Sequence, residues 1–302
     1  MEKEKQKVAL LSVFAAIFLT GSKLAIGLLT GSLGILSEAL HSGLDLVAAI
    51  ITYFSVRVSD KPADREHNYG HGKIENLSAL IETSLLLITC VWIVYEAVSR
   101  LISGETHIEV SYWSYIVVIS SIIIDISRSR ALSRVAKKHN SQALEADALH
   151  FSTDIWSSVV VLLGLIFANF GFYFADAVAA LAVAFIVVLI SIRLGKRAID
   201  VLLDKAPADS VKKVNEVLAT ISEIKYFHSL KVRTSGADTF IKVNIHFEPH
   251  LSLIEVHEIC DKVEKEINSV IKRSEIFIHA EPQEANHLIA EEKEISIETP
   301  NT

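Results

Sequence analysis

Six apolar segments, each near the ~20 residues that cross the hydrocarbon layer of a bilayer, fill the first two thirds of this chain. They run roughly over 8–30, 33–57, 77–101, 112–132, 144–170 and 174–195. Their links differ in charge. Thr30, Gly31 and Ser32, and the stretch from Asn169 to Phe174, contain no Lys or Arg, and the link after the third segment has only Arg100 at its start. The alternate links are basic. Lys3, Lys5 and Lys7 precede the first segment; Arg57, Lys61, Arg65 and Lys73 follow the second; Arg128, Arg130, Arg134, Lys137 and Lys138 follow the fourth; Arg193, Lys196 and Arg197 follow the sixth. By the positive-inside bias this alternation predicts a multi-pass protein of the cell membrane with both termini cytoplasmic. No small-residue cleavage site follows the first segment, so it reads as a retained span.

From Pro207 the periodicity changes. Residues 209–220 and 252–271 read as amphipathic helices, the first capped by Asp209 or Ser210. Residues 226–234, 239–247 and 275–280 read as strands, with Thr234–Asp238 as the turn between the first two. The order αββαβ predicts a small sheet covered on one face by helices. The expected organisation is a six-helix transmembrane domain (1–206), a cytoplasmic α+β domain (207–285) and a mobile acidic tail (286–302). The net charge of −7 argues against nucleic acid as a partner. Cys90 and Cys260 make neither a disulfide framework nor a Cys-based zinc motif.

Polar residues inside the apolar segments carry the chemistry. His41 precedes Asp45 by four, and His150 precedes Asp154 by four, so each pair shares one helix face. A carboxylate at the centre of a bilayer costs roughly 2.5–3.5 kcal/mol even on the lenient scale. A lone membrane His usually hydrogen-bonds a neighbouring helix. The duplicated pair argues instead for a cation shared by two helices, with the ligand number and type that tetrahedral zinc prefers. Glu82 and Asp125 also lie within spans, either supporting the ligands, lending polarity to the path or hydrogen-bonding in the core.

Two further clusters lie outside the spans. Asp64, His67 and His71 form a three-ligand set or a solvated polar loop, with Gly70 and Gly72 permitting a tight turn. His228, His246, His257, His279 and Glu281 stand at element ends in the second domain, where they suit one or two metal sites or remain surface polarity.

The strings Ser37-Glu-Ala-Leu-His-Ser-Gly-Leu-Asp45, Asp64-Arg-Glu-His-Asn-Tyr-Gly-His-Gly-Lys-Ile-Glu75, Ala146-Asp-Ala-Leu-His-Phe-Ser-Thr-Asp154 and Leu203-Asp-Lys-Ala206 resemble those of the cation diffusion facilitator family, divalent-metal exporters of the bacterial zinc or iron efflux type. The resemblance covers about residues 8–282. It implies six spans, a ferredoxin-like cytoplasmic domain, a homodimer and exchange of metal for protons. It also implies a transport site of His41, Asp45, His150 and Asp154, a loop site of Asp64, His67 and His71, and metal positions at His228, His246, His257, His279 and Glu281. Lys73 and Asp204 match an interlocking ion pair at the dimer contact. His41 resembles the zinc-selective branch, some members having Asp there. Glu281 stands where an Asp is common, and the loop after span four has only His139 where many zinc exporters are His-rich.

The expectation is therefore a proton-coupled exporter of a divalent cation, zinc first, with zinc both substrate and regulatory ligand and with no cofactor. Ferrous iron or a broad range of cations (cadmium, cobalt, iron, manganese) is the alternative within transport. An intramembrane metalloenzyme is disfavoured because the paired motif fills all four zinc positions and leaves none open for catalysis. A membrane-anchored metal sensor is the third reading.

Overall fold

The computed structural model describes residues 2–30, 33–103, 112–169 and 174–283. The expected tail lies outside these residues. The chain divides into two compact units, Met1–Leu203 and Asp204–Thr302.

The first unit is six long helices: α1 (Glu2–Thr30), α2 (Leu33–Ser59), α3 (Ile74–Ser103), α4 (Tyr112–His139), α5 (Gln142–Asn169) and α6 (Phe174–Leu202). At 1.5 Å per residue each is about 40 Å long, enough for a hydrocarbon layer of about 30 Å. The helices run past the apolar segments at their basic ends, most at α4 and α6, because charged residues end an apolar run without ending a helix. Neighbours in sequence pack as α1 on α2 and α4 on α5, while α3 packs on α6. Ala9, Ala16, Ala48, Ala79, Ala146 and Ala198 are buried between helices, and small residues of this kind let helix backbones approach closely. At Gly195 a Cβ would meet Thr83 Oγ1 at 3.3 Å, so α6 sits tightly on α3 there.

Phe18, Leu28, Ile88, Trp92, Tyr95 and Ile102 face outward, while Glu82, Asp147 and His150 are buried. A surface of large apolar residues around a polar interior suits lipid as the outer solvent. Among the described residues, Lys3–Leu29, His41–Ser59 and Ile74–Ser99 are long and apolar enough to cross a membrane. That is three of the six expected spans; α4 carries Asp125, Arg128, Arg130 and Arg134 along one helix.

The second unit runs α7 (Ala208–Thr220), β1 (Tyr226–Ser235), β2 (Asp238–Phe247), α8 (Leu253–Val270) and β3 (Ser274–Pro282). The expected Asp209 or Ser210 cap is replaced by Pro207, whose side chain accepts no hydrogen bond. Proline has a fixed φ suited to a helix start and no N–H to satisfy. On α8, Ser252 and Glu255 form a reciprocal capping box. β1 pairs antiparallel with β2, and β2 pairs parallel with β3, giving the strand order β1-β2-β3. Gly236 makes the β1–β2 turn at φ +60°. Val214 and Leu218 of α7, Val263 and Ile267 of α8, and Val232, Ile241, Val243 and Ile245 of the sheet form one buried core. The register breaks between His228 and Lys231, with Ser229 at φ +53°. His228 itself pairs with Asn244, two residues before His246 on β2.

Candidate metal centres

α2 and α5 bring the two His–Asp pairs together. His150 Nε2 lies 2.9 Å from Asp45 Oδ1 and 3.8 Å from Asp154 Oδ2, and His41 Nε2 lies 3.6 Å from Asp154 Oδ1. His41, Asp45 and Asp154 each offer a ligand atom within 4.8 Å of the others. Four ligands at about 2.0 Å from one ion at tetrahedral angles lie about 3.3 Å apart, so these separations bracket what a shared ion needs. Asp45 is 8% exposed and His150 3%. The buried atoms His150 Nδ1 and Asp154 Oδ2 have no hydrogen-bond partner among the described residues. Such atoms are costly unless something charged or polar meets them.

Residues that the periodicity left unremarked surround this site. Lys23 is buried on α1 and donates to Ser42 Oγ at 2.8 Å. Ser42 is also held through its carbonyl by Thr20 Oγ1 at 2.8 Å. Lys23 also acts electrostatically on Asp45 and Asp125. The available signal was a lone Lys inside the first apolar run. Asp125 pairs with Arg128 at 3.3 Å, and Arg128 also donates to Ser12 Oγ at 3.1 Å and stacks 3.5 Å over Phe151.

In the loop after α2, His67 Nδ1 and His71 Nε2 approach the two oxygens of Asp64 at 3.4 and 3.5 Å. The two rings lie 4.4 Å apart between centroids. The backbone amides of His67 and Glu66 donate to Asp64 Oδ1 at 2.7 and 2.9 Å. The His67 amide first, then the Glu66 amide and the nearby imidazoles, hold Asp64 below the ordinary carboxylate range against a smaller desolvation cost. Gly70 turns the loop at φ +72°. A Cβ there would meet only ordinary contacts at 3.8 Å, so conformation rather than space requires glycine.

In the second unit Glu281 is the hub. Its Oε2 lies 3.5 Å from His228 Nε2 and 3.2 Å from His246 Nε2, and its Oε1 lies 3.4 Å from His279 Nε2. Asn244 Nδ2 donates to Oε1 at 2.8 Å and fixes the carboxylate, a role the histidine pattern did not reveal. Burial works to raise the Glu281 carboxyl, but the His228 contact and the charges of His228, His246 and His279 hold it below its ordinary value. His228, His246 and Glu281 offer ligand atoms within 4.8 Å of one another. His257 is not gathered with them; it is exposed on α8 with its Nδ1 3.8 Å from Asp261 Oδ1. Lys73 Nζ donates to the Leu202 carbonyl at 3.2 Å, and Asp204, in the left-handed region at φ +58°, lies 3.5 Å from Arg233.

Residues 9–203 match the family model of the cation efflux transmembrane domain, and residues 206–283 match that of the cation efflux protein cytoplasmic domain. The chain belongs to the cation diffusion facilitator family of cation-efflux transporters; it is a membrane protein and not an enzyme. It is 30% identical over 277 residues to the cation-efflux pump FieF of Cronobacter sakazakii, covering 91% of this chain and 92% of that one. It is 32% identical over 280 residues to an uncharacterized transporter of Synechocystis, covering 91% of this chain and 90% of that one. Among solved structures it is similar to the metal-bound C-terminal domain of the CzcD transporter from Thermotoga maritima. That match has 26% identity and a TM-score of 0.24, over 25% of this chain and 88% of that one.

Proposed function

We propose that the chain exports a divalent cation, zinc foremost, in exchange for protons, through a site made of His41, Asp45, His150 and Asp154. The observation that carries this is the convergence of the two helical pairs: His150 Nε2 sits 2.9 Å from Asp45, and His41 Nε2 sits 3.6 Å from Asp154. Two imidazoles and two carboxylates favour zinc over harder cations. The six helices would all cross the bilayer, with both termini cytoplasmic, and would rock to expose the site alternately to each side. Metal binding needs the deprotonated ligands, so protons compete for the same groups and a proton gradient drives the exchange.

The second unit, ferredoxin-like in its αββαβ order, would join two protomers, with Lys73 and Asp204 forming the ion pair at their contact. Its His228, His246, His279 and Glu281 cluster would hold regulatory zinc, with His257 contributing a separate position on α8. Asp64, His67 and His71 would take cation at the cytoplasmic surface. The test is flux in proteoliposomes under an imposed pH gradient. Zinc uptake that follows the gradient, and that Asp154→Ala abolishes while the protein stays folded, is expected. Uptake indifferent to the gradient rejects the coupling, and flux retained by Asp154→Ala moves the site elsewhere. Competition by ferrous, cobalt, cadmium and manganese ions ranks the substrates.

A further inference from the structure

Two buried carboxylates lie beside the transport site without belonging to it. Glu82, two turns into α3, is fully buried. Its Oε1 accepts from Thr52 Oγ1 of α2 and from Ser78 Oγ at 3.0 Å, while Oε2 has no hydrogen-bond partner among the described residues. Asp147, on α5, is also fully buried. Its Oδ2 accepts from Ser12 Oγ of α1 at 3.3 Å, and its Oδ1 has no hydrogen-bond partner among the described residues. The two acids act on each other electrostatically. The other charged groups facing Glu82 include His150; those facing Asp147 are Arg128, His150 and Asp45. Arg128 is bonded to Asp125, so it does not neutralise both acids of the pair.

Two like charges cannot both persist in a buried site with an orphan oxygen on each, because desolvation and mutual repulsion add. Hydroxyl donors from three helices cover one oxygen of each acid and leave the other oxygen open. A proton answers that arrangement at the lowest cost. We propose that Glu82 and Asp147 together hold one proton that is released when a cation occupies the neighbouring His–Asp site and regained when the cation leaves. This rests on the transport site proposed above and adds a proton station outside its ligands. His150 is the physical link: its Nε2 lies against Asp45 in the site, and its charge is felt by both acids of the pair. A doubly positive ion on the site raises the potential at the pair and expels its proton to water. The charge entering is partly compensated by the proton leaving.

The test is calorimetric titration of the purified full chain with zinc at neutral pH, in two buffers of different ionisation enthalpy, which counts protons released per zinc. Glu82→Gln keeps the hydrogen-bond acceptor for Thr52 and Ser78 and removes the titratable oxygen. It is expected to bind zinc within roughly threefold of wild type while releasing about one proton fewer per ion. Asp147→Asn reads the same station from α5 and carries the test if Glu82→Gln does not fold. Infrared difference spectra upon zinc addition should show loss of a protonated-carboxyl C=O band in wild type that is missing from both variants. An unchanged proton count in variants that still bind zinc overturns the proton station and leaves the transport site standing. Zinc binding whose affinity and number of ions per chain are both unchanged by Asp154→Ala overturns the transport site itself.

Discussion

His150 Nε2 lies 2.9 Å from Asp45 and 3.8 Å from Asp154, so a cation entering the proposed transport site would replace these contacts. Asp154 reaches both imidazoles, at 3.6 and 3.8 Å. Removing it takes away one ligand and the partner of two others. Asp154→Ala should weaken zinc by more than the roughly 10–100-fold that loss of a supporting contact costs at a metal site, measured by calorimetry. His41→Asp keeps four ligands but hardens the set, so manganese should gain on zinc in competition titrations. At Glu281 the sign of the pH effect follows from its depressed titration. A carboxylate held below its unfolded value stabilises the fold above that value, 4.5, and the stabilisation is lost as pH falls through the lower folded value. The second unit should therefore lose stability in that window, and Glu281→Gln should remove the share of the pH dependence that Glu281 contributes, leaving that of Glu223, Glu248 and Glu255. Thermal melts of the two forms from neutral pH downward should converge at the acid end.

At the level of elements, the basic end of the helical unit is stitched by buried charge. Lys5 of α1 lies 2.5 Å from Asp60, just past α2, and 2.9 Å from Glu75 of α3. Ser59 and Ser141, the latter just before α5, donate to Glu75 at 3.0 and 2.5 Å. Lys5 is 6% exposed and Glu75 3%, so this is no solvated surface pair. Lys5→Ala leaves the buried Glu75 and the half-buried Asp60 without their cation and should cost roughly 3–5 kcal/mol, with Glu75→Gln in the same chain recovering part of the loss. A double-mutant cycle on unfolding in detergent reads the coupling. The sequence showed Lys5 only as one of three N-terminal lysines. Its partner is 70 residues away, and such a pairing depends on which helices meet and at what rotation. The His–Asp pairs were legible because the spacing of four fixes both side chains on one face whatever that helix packs against. Lys23, Ser12 and Asn244 were not, since each matters only through the neighbour that another element supplies. His257 shows the converse: its residue type fitted the second-unit cluster, but α8 turns it toward Asp261.

For the molecule as a whole, the division into a helical unit and a small mixed α/β unit was readable from one change of periodicity near Pro207, and the order α7-β1-β2-α8-β3 followed it. The helix lengths were less readable, because apolar runs end where charge begins whereas the helices continue. In the proposed topology the Lys5–Glu75 cluster, the Asp64 loop and the basic end of α4 would lie on one side of the membrane, and the end of α1 on the other. Single cysteines introduced as Lys61→Cys, Lys138→Cys and Leu29→Cys, in a chain whose Cys90 and Cys260 are replaced by alanine, read this directly. In sealed right-side-out vesicles, a membrane-impermeant thiol reagent should label Leu29→Cys at once and label the other two only after the vesicles are opened. Labelling of Lys61→Cys from outside would invert the chain and turn the proposed exporter into an importer. Labelling of Lys61→Cys and Lys138→Cys from opposite sides would show that α3 and α4 do not form a pair of crossings, and the six-span arrangement would fall.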